Sequence, residues 1–287
     1  MSTPIKLEFA KIPSMGSGYR RALFPKKRGL HIKETLPAFV ATVQGVKIDP
    51  QKLAAYREVC GFHPDAGVPI TYPQVLAGPL HIQLFTHPKF PIPALGIVHM
   101  RNVIVQHEPI SPEASIDFEV RIEGNRWAKK GVEFDVITDA FVDRKKVWES
   151  TMTIFSRQRV PEGSETKYPK DDLPKPESFE TWKVPPDQGR AYAKVSGDYN
   201  LIHLYPWTAK LFGFKRQIVH GMWSLARCAA AMTEPQLPSK LSVSFRRPIM
   251  LPATVRYGDQ KLEDGAAFAI MKKDEDKPYL TGCWTKA

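Results

Sequence analysis

Within this chain one unit is written twice, and that repetition limits the fold more than any other feature. Ala55-Tyr56-Arg57-Glu58-Val59-Cys60-Gly61-Phe62 lines up with Ala191-Tyr192-Ala193-Lys194-Val195-Ser196-Gly197-Asp198. Further on, Pro109-Ile110 lines up with Pro248-Ile249, at a separation only three residues larger. Around each copy the elements expected from the residues follow the same order. A chain of this kind folds as two like halves that bury their apolar faces together.

In the first half, Phe39, Val40, Val43 and Val46 read as a strand between Pro37 and Ile48. Asp49-Pro50 then supplies an N-cap followed by proline at the first helical position, opening a helix to about Cys60. A second, apolar helix is expected from about Pro73 to Phe85, with Pro79 kinking it or marking a late start. Four strand-like runs follow, at 96–107, 115–123, 131–142 and 147–157, each rich in β-branched or aromatic residues. Asp143-Arg144-Lys145-Lys146 reads as a hairpin turn between the last two. In the second half the same order gives a strand near 179–184, a short helix through Ala191-Tyr192, a polar loop and a helix from Gly221. Strand-like runs near 241–247, 253–260, 266–273 and 279–285 complete it. Helices followed by runs of strands argue for an α+β fold, not an alternating βαβ design. Between the halves the composition turns polar, charged and proline-rich, so residues 161–176 are expected to be an extended linker. The expected division is an N-terminal repeat at 1–160, the linker, and a C-terminal repeat at 177–287.

The chemistry concentrates in the second copy, in Ser196-Gly197-Asp198-Tyr199-Asn200-Leu201-Ile202-His203. A carboxylate and an imidazole on one short segment can converge on a single water and move its protons. Gly197 lets the backbone turn between them, while Asn200 and Ser196 are suited to ordering the loop through hydrogen bonds to its backbone. Downstream, His220-Gly221-Met222 opens an apolar helix. A first-turn N–H at Gly221 lies at the positive end of the helix dipole, where it can stabilise a developing oxyanion. The bland alternative makes Asp198 a turn cap and His203 a satisfied core histidine. Tyr199 and Tyr205 read as packing residues before catalysts, and His220 as a helix-entry residue with catalysis as the alternative.

The run Tyr-x-x-x-Ser-Gly-Asp-x-Asn-x-Ile-His resembles the signature of the MaoC-like (R)-specific enoyl-thioester hydratases, or hydratase 2. Ala209-Lys210-Leu211-Phe212-Gly213-Phe214 and Ile218-Val219-His220-Gly221-Met222 resemble it as well, so the likeness covers roughly residues 190–232. It implies a double hot-dog fold, in which each repeat wraps an antiparallel sheet around a central helix. It also implies hydration of trans-2-enoyl thioesters to (3R)-hydroxyacyl thioesters, with dehydration in reverse, on Asp198, His203 and Gly221. One departure is Leu201, where the family usually has proline. In the repeat alignment Asp198 faces Phe62 and His203 falls near Gly67, so the first copy lacks the dyad. By analogy with fused hot dogs, that copy can open space for a long acyl chain beside Phe62. A purely structural role for Phe62 is an equal alternative.

The formal net charge of +11 and pI near 9.5 favour a polyanionic partner. Coenzyme A phosphates, an acidic acyl carrier protein and nucleic acid would each satisfy it; given the motif, an acyl thioester on coenzyme A or carrier protein is expected, and nucleic acid is not. Lys215, Arg216, Arg246 and Arg247 are candidates for the thioester's phosphates, with surface solubility charges the alternative reading. Arg246 and Arg247, adjacent in an expected strand, would point to opposite faces. The basic first thirty residues read as a solvated arm or as a phosphate or carrier contact. The remaining histidines lack metal-ligand spacing, and no Gly-rich dinucleotide loop or Walker motif occurs, so neither a metal nor a separate cofactor is expected. Cys60, Cys228 and Cys283 lack paired spacing and read as reduced thiols. No signal-like or membrane-spanning stretch is seen, so a cytoplasmic protein is expected, as a monomeric double hot-dog or a homodimer. A hot-dog thioesterase and a non-catalytic basic binding module for carrier protein or nucleic acid are the competing functions.

Overall fold

The computed structural model describes residues 3–22, 27–31, 34–160, 166 and 173–287. Most of the expected linker, 161–165 and 167–172, lies outside the described residues, as does part of the basic arm. No helix among the described residues is long and apolar enough to cross a membrane.

Ten strands form a sheet whose order is a mirror about its middle. The first half contributes β2 (Phe39–Lys47), β3 (Val98–Gln106), β4 (Ser115–Ile122), β6 (Gly131–Val142) and β7 (Lys145–Arg157). The second contributes β8 (Glu180–Val184), β9 (Ser239–Phe245), β10 (Ala253–Leu262), β11 (Gly265–Lys272) and β12 (Pro278–Lys286). Their order is β2-β4-β6-β7-β3 and then β9-β12-β11-β10-β8. The halves meet in an antiparallel ladder, Arg101 opposite Ser244 through Gln106 opposite Ser239. Strand β1 (Ile5–Phe9) adds in parallel beside β2, and short β5 (Arg126–Ala128) pairs with β6. The hairpin between β6 and β7 turns at Asp143 and Arg144, both at positive φ, the geometry that matches the twist of the flanking strands.

The helices follow the same symmetry. Helix α2 (Pro50–Cys60) starts at Asp49, whose carboxylate accepts from the Gln51 and Lys52 N–H groups, and stops at Gly61 in the left-handed region. Its counterpart α4 (Gln188–Ser196) stops in the same conformation at Gly197, the residue aligned with Gly61. The two helices pack together and bring the Tyr56 and Tyr192 rings within 6.2 Å. Helix α3 (Tyr72–Phe85) is apolar on every side and is therefore central, with Tyr72, Ala77, Leu80 and Leu84 fully buried. It starts at Tyr72 and runs on through Pro79, so the proline neither delays its start nor ends it. Helix α6 (Gly221–Ala231) is the equivalent in the second half, with a shorter α5 (Pro206–Lys210) before it.

The start of the chain departs from a solvated arm. Residues Met15–Ala22 form α1, which packs on α3. Gly18 is buried at the crossing, where an added Cβ would stand 2.6 Å from Ile82 Cγ1. Lys27 extends over the Phe90 ring and donates to the Phe85 and His87 carbonyls. Alternating charge and apolarity in β1 and the small face of α1 provide the packing; basic composition concealed it.

Candidate active site

The motif loop is built from local hydrogen bonds. Ser196 Oγ donates to the Tyr192 carbonyl at 2.8 Å and accepts from the Asp198 N–H at 3.2 Å. The Asn200 N–H reaches back to Asp198 Oδ1 at 3.1 Å, and the Asn200 side chain opens a 3-10 turn, Leu201–His203. That turn lifts His203 onto the wall of a cavity while Asp198 stays at the end of α4. Close packing of α4 on the turn holds the pair: Gly189 faces the His203 carbonyl, and Arg190 donates to the Leu204 carbonyl at 2.9 Å.

Hydrogen bonding fixes the protons on two histidines. His203 Nδ1 lies 2.8 Å from the Ile218 carbonyl, which can only accept, so Nδ1 carries hydrogen and Nε2 carries the lone pair. By the same reasoning His220 donates from Nε2 to the Asp198 backbone carbonyl at 2.9 Å. The two imidazoles stack with centroids 3.7 Å apart, and Tyr192 packs against His220. Burial, and after it the neighbouring His220, pushes His203 well below the usual histidine range, so the ring is neutral at neutral pH. Burial also lowers His220. For Asp198 burial acts upward, but His220, His203 and the Tyr19 hydroxyl outweigh it and hold the carboxyl below its ordinary value. An ionised carboxylate beside a neutral imidazole is the result.

These groups open on a cavity of about 500 Å³, large enough for part of a thioester substrate. The cavity runs between the halves: Asp198, His203 and Gly221 come from the second, while Gly78, Ile82 and Val98 come from the first. Helix α6 begins at the cavity with no side-chain cap, so its first-turn N–H groups, Gly221's among them, have no acceptor inside the helix. Gly221 also packs on Phe245, whose ring would lie 3.1 Å from an added Cβ.

The four basic candidates separate. Arg246 and Arg247 follow β9 instead of lying within it, both are exposed, and both line the cavity rim. Lys215 and Arg216 are exposed but do not line it. Phe62 also lies outside the cavity lining; it stacks on Tyr56, filling the place that mirrors Asp198. Sequence reasoning missed Tyr19, whose hydroxyl donates to Asp198 Oδ1 at 2.6 Å, and His99, while His220, also on the lining, reads as a helix entry with catalysis as the alternative. Only His220 had a local signal, its place beside Gly221.

Asp198, His203 and His220 bring one potential ligand atom each within 4.8 Å of the others. The two rings stack instead of facing a common point, and His203 Nε2 and His220 Nδ1 keep their lone pairs, since the other nitrogen of each donates to a carbonyl.

Residues 171–279 match the family model for the MaoC like domain. Across 251 residues, 86% of this chain and 89% of its relative, the sequence is 34% identical to 3-hydroxyacyl-thioester dehydratase X of Mycobacterium tuberculosis. The chain belongs to the MaoC-like dehydratases. Membership of this hydro-lyase family accounts for the motif loop and for the mirrored sheet together. Another relative, the (R)-specific enoyl-CoA hydratase of Aeromonas caviae, is 35% identical over 91 residues, 32% of this chain and 65% of that protein. A crystal structure of HtdX from Mycobacterium tuberculosis superposes with a TM-score of 0.74 at 33% identity, covering 86% of this chain and 99% of that one. The double hot-dog architecture is thus a MaoC-like one, and Asp198 and His203 lie inside the matched segment.

Proposed function

We propose that this MaoC-like protein catalyses the reversible hydration of trans-2-enoyl thioesters to (3R)-hydroxyacyl thioesters. The observation that carries the reading is the convergence of an ionised Asp198 and the His203 Nε2 lone pair on a cavity that also receives the uncapped start of α6. A water between the two groups donates a hydrogen to each. As its oxygen bonds to C3, one proton passes to the dyad, and the π electrons move onto the thioester oxygen, where the Gly221 N–H stabilises the negative charge. Collapse of that enolate returns a proton from the same side to C2, so H and OH add to one face. The two groups share their protons and titrate as a pair.

The chemistry calls for no metal and no cofactor beyond the coenzyme A or acyl carrier protein that forms part of the substrate. Arg246 and Arg247 at the rim suit the phosphates of either carrier, and Lys215 and Arg216, exposed just after Phe214 of the lining, are further candidates for them. The first repeat, without a dyad, supplies volume for the acyl chain through α3 and β3, while Phe62 packs on Tyr56 outside the lining.

Loss of absorbance from trans-2-enoyl-CoA tests the proposal. Native protein is expected to turn over, and Asp198→Asn and His203→Ala to lose about 10²- to 10⁴-fold in kcat while remaining folded. Absence of turnover on both coenzyme A and carrier-protein substrates, or release of free thiol in place of hydration, would overturn it.

A further inference from the structure

The dyad is not assembled by the second repeat alone. Helix α1, at the opposite end of the chain, reaches it through a residue 179 positions away from Asp198. Two features fix that approach. Gly18 lets α1 seat on α3 against Ile82, and Met15 lies so close to the motif loop that a Cβ on Gly197 would stand 3.4 Å from Met15 Cγ. Seated this way, α1 presents both Met15 and Tyr19 to the cavity.

The Tyr19 hydroxyl donates to Oδ1 of Asp198 at 2.6 Å, and the Asn200 N–H donates to the same oxygen at 3.1 Å. Among the described residues Oδ2 has no hydrogen bond, and His220 Nε2 stands 3.8 Å from it. Tyr19 and Asn200 therefore divide the carboxylate into a held oxygen and an open one. We propose that Tyr19 is a positioning residue for the dyad, locking Oδ1 so that Oδ2 alone meets the water shared with His203, and making the N-terminal arm part of the active site. This rests on the hydratase reading above.

The chemistry suits the geometry. A phenol donates one hydrogen and, here, cannot release it: burial, with the Asp198 charge second, pushes the Tyr19 hydroxyl far above its ordinary value. It remains a donor throughout the working pH range. Hydrogen bonding to an ionised carboxylate favours ionisation, so loss of the hydroxyl raises the pH at which Asp198 gains a proton. The other groups facing Asp198 are His203 and His220 from its own repeat, His99 from β3, and Tyr192 from α4. All of them remain in a Tyr19→Phe protein, which isolates the effect of the hydroxyl.

The test is Tyr19→Phe in the full chain, read by the pH dependence of kcat and by carboxyl-carbon magnetic resonance of Asp198. Expected are a fall in kcat of about 10-fold with KM changed less than about twofold, and an acidic limb raised by about one pH unit, matched by the Asp198 titration. Gly18→Ala, which unseats α1 without altering Tyr19, is expected to shift both in the same direction. If the limb and the titration of Tyr19→Phe stay where they are in the native protein, the positioning role is wrong even if kcat falls, because a packing defect would lower rate alone. A native protein without hydratase turnover, whose Asp198 still titrates higher after Tyr19→Phe, would overturn the hydratase reading and leave the positioning role standing.

Discussion

Replacing Gly189 with alanine should cost activity, although alanine favours helices. Gly189 sits in the first turn of α4 with its backbone in the ordinary helical region, where alanine is better than glycine by about 0.5–1 kcal/mol. An added Cβ, however, would lie 3.1 Å from the His203 carbonyl carbon and nearer still to its oxygen. Carbon and carbonyl oxygen rest at about 3.3–3.6 Å, so the 3-10 turn must retreat by on the order of 1 Å. No rotamer change can relieve the overlap, because both partners are backbone. Crowding of this kind costs about 1–3 kcal/mol, which outweighs the helix gain and lowers Tm by about 2–6 °C. A shift of about 1 Å in a catalytic group is worth about 10²-fold in rate, and that is the loss expected in kcat for trans-2-enoyl-CoA hydration. Gly67→Ala is the control, since nothing lies within 4 Å of the Cβ it would add and Gly67 is not part of the cavity lining. Full activity together with a raised Tm in Gly189→Ala would refute the claim that α4 fixes the position of His203.

Chain-length selectivity should respond to Gly78, which faces the cavity from α3: Gly78→Leu is expected to cut kcat/KM about 10-fold or more on long enoyl-CoA substrates and to spare the shortest, as a substrate-length series would reveal. Arg246→Ala and Arg247→Ala should each raise KM for enoyl-CoA several-fold, on the order of 1 kcal/mol, and leave KM for the enoyl-pantetheine analogue unchanged. Stability should fall on acidification from pH 7 to 5. Burial drives His81 down to about 3 and His99 to about 4, so between those values and 6.5 the unfolded chain binds protons that the folded one excludes. Each such histidine adds a slope of at most about 1.4 kcal/mol per pH unit, measurable by urea unfolding across that range; a flat profile would show that neither ring is held neutral. Thiol labelling of the native protein should start at Cys283, because Cys60 and Cys228 are buried and burial raises both, Cys60 to about 12.

What could be read from the residues was whatever a short segment decides for itself. Asp49-Pro50 announces the start of α2, the Gly61 and Gly197 stops align because each ends the same helix, and the run Ser196 to His203 carries its own hydrogen bonds. Strand positions were legible to within a few residues because alternation survives even in mixed burial. Contacts between distant segments left no such trace. Tyr19 stands in a stretch whose charge suggests solvent, and only the small face of Gly18 against Ile82 turns it inward. Phe62 aligns with Asp198, which leaves a binding and a structural role equally open, and only the fold shows it stacked on Tyr56. Adjacency in an expected strand puts Arg246 and Arg247 on opposite faces, but the strand ends at Phe245 and both line the rim.

The mirrored sheet also determines how this molecule can meet copies of itself. Its ends are β1 and β8, five residues each, with Lys6 and Glu8 exposed on one and Glu180 and Lys183 on the other. Short rims carrying charge are poor templates for strand addition, since a newcomer must match both the abbreviated backbone and the side-chain signs. The interior ladder between β3 and β9, where two separate hot-dog chains would have to join, is already closed within one polypeptide. Fusion has thereby turned an intermolecular seam into an intramolecular one, so the cavity that straddles it does not depend on protein concentration.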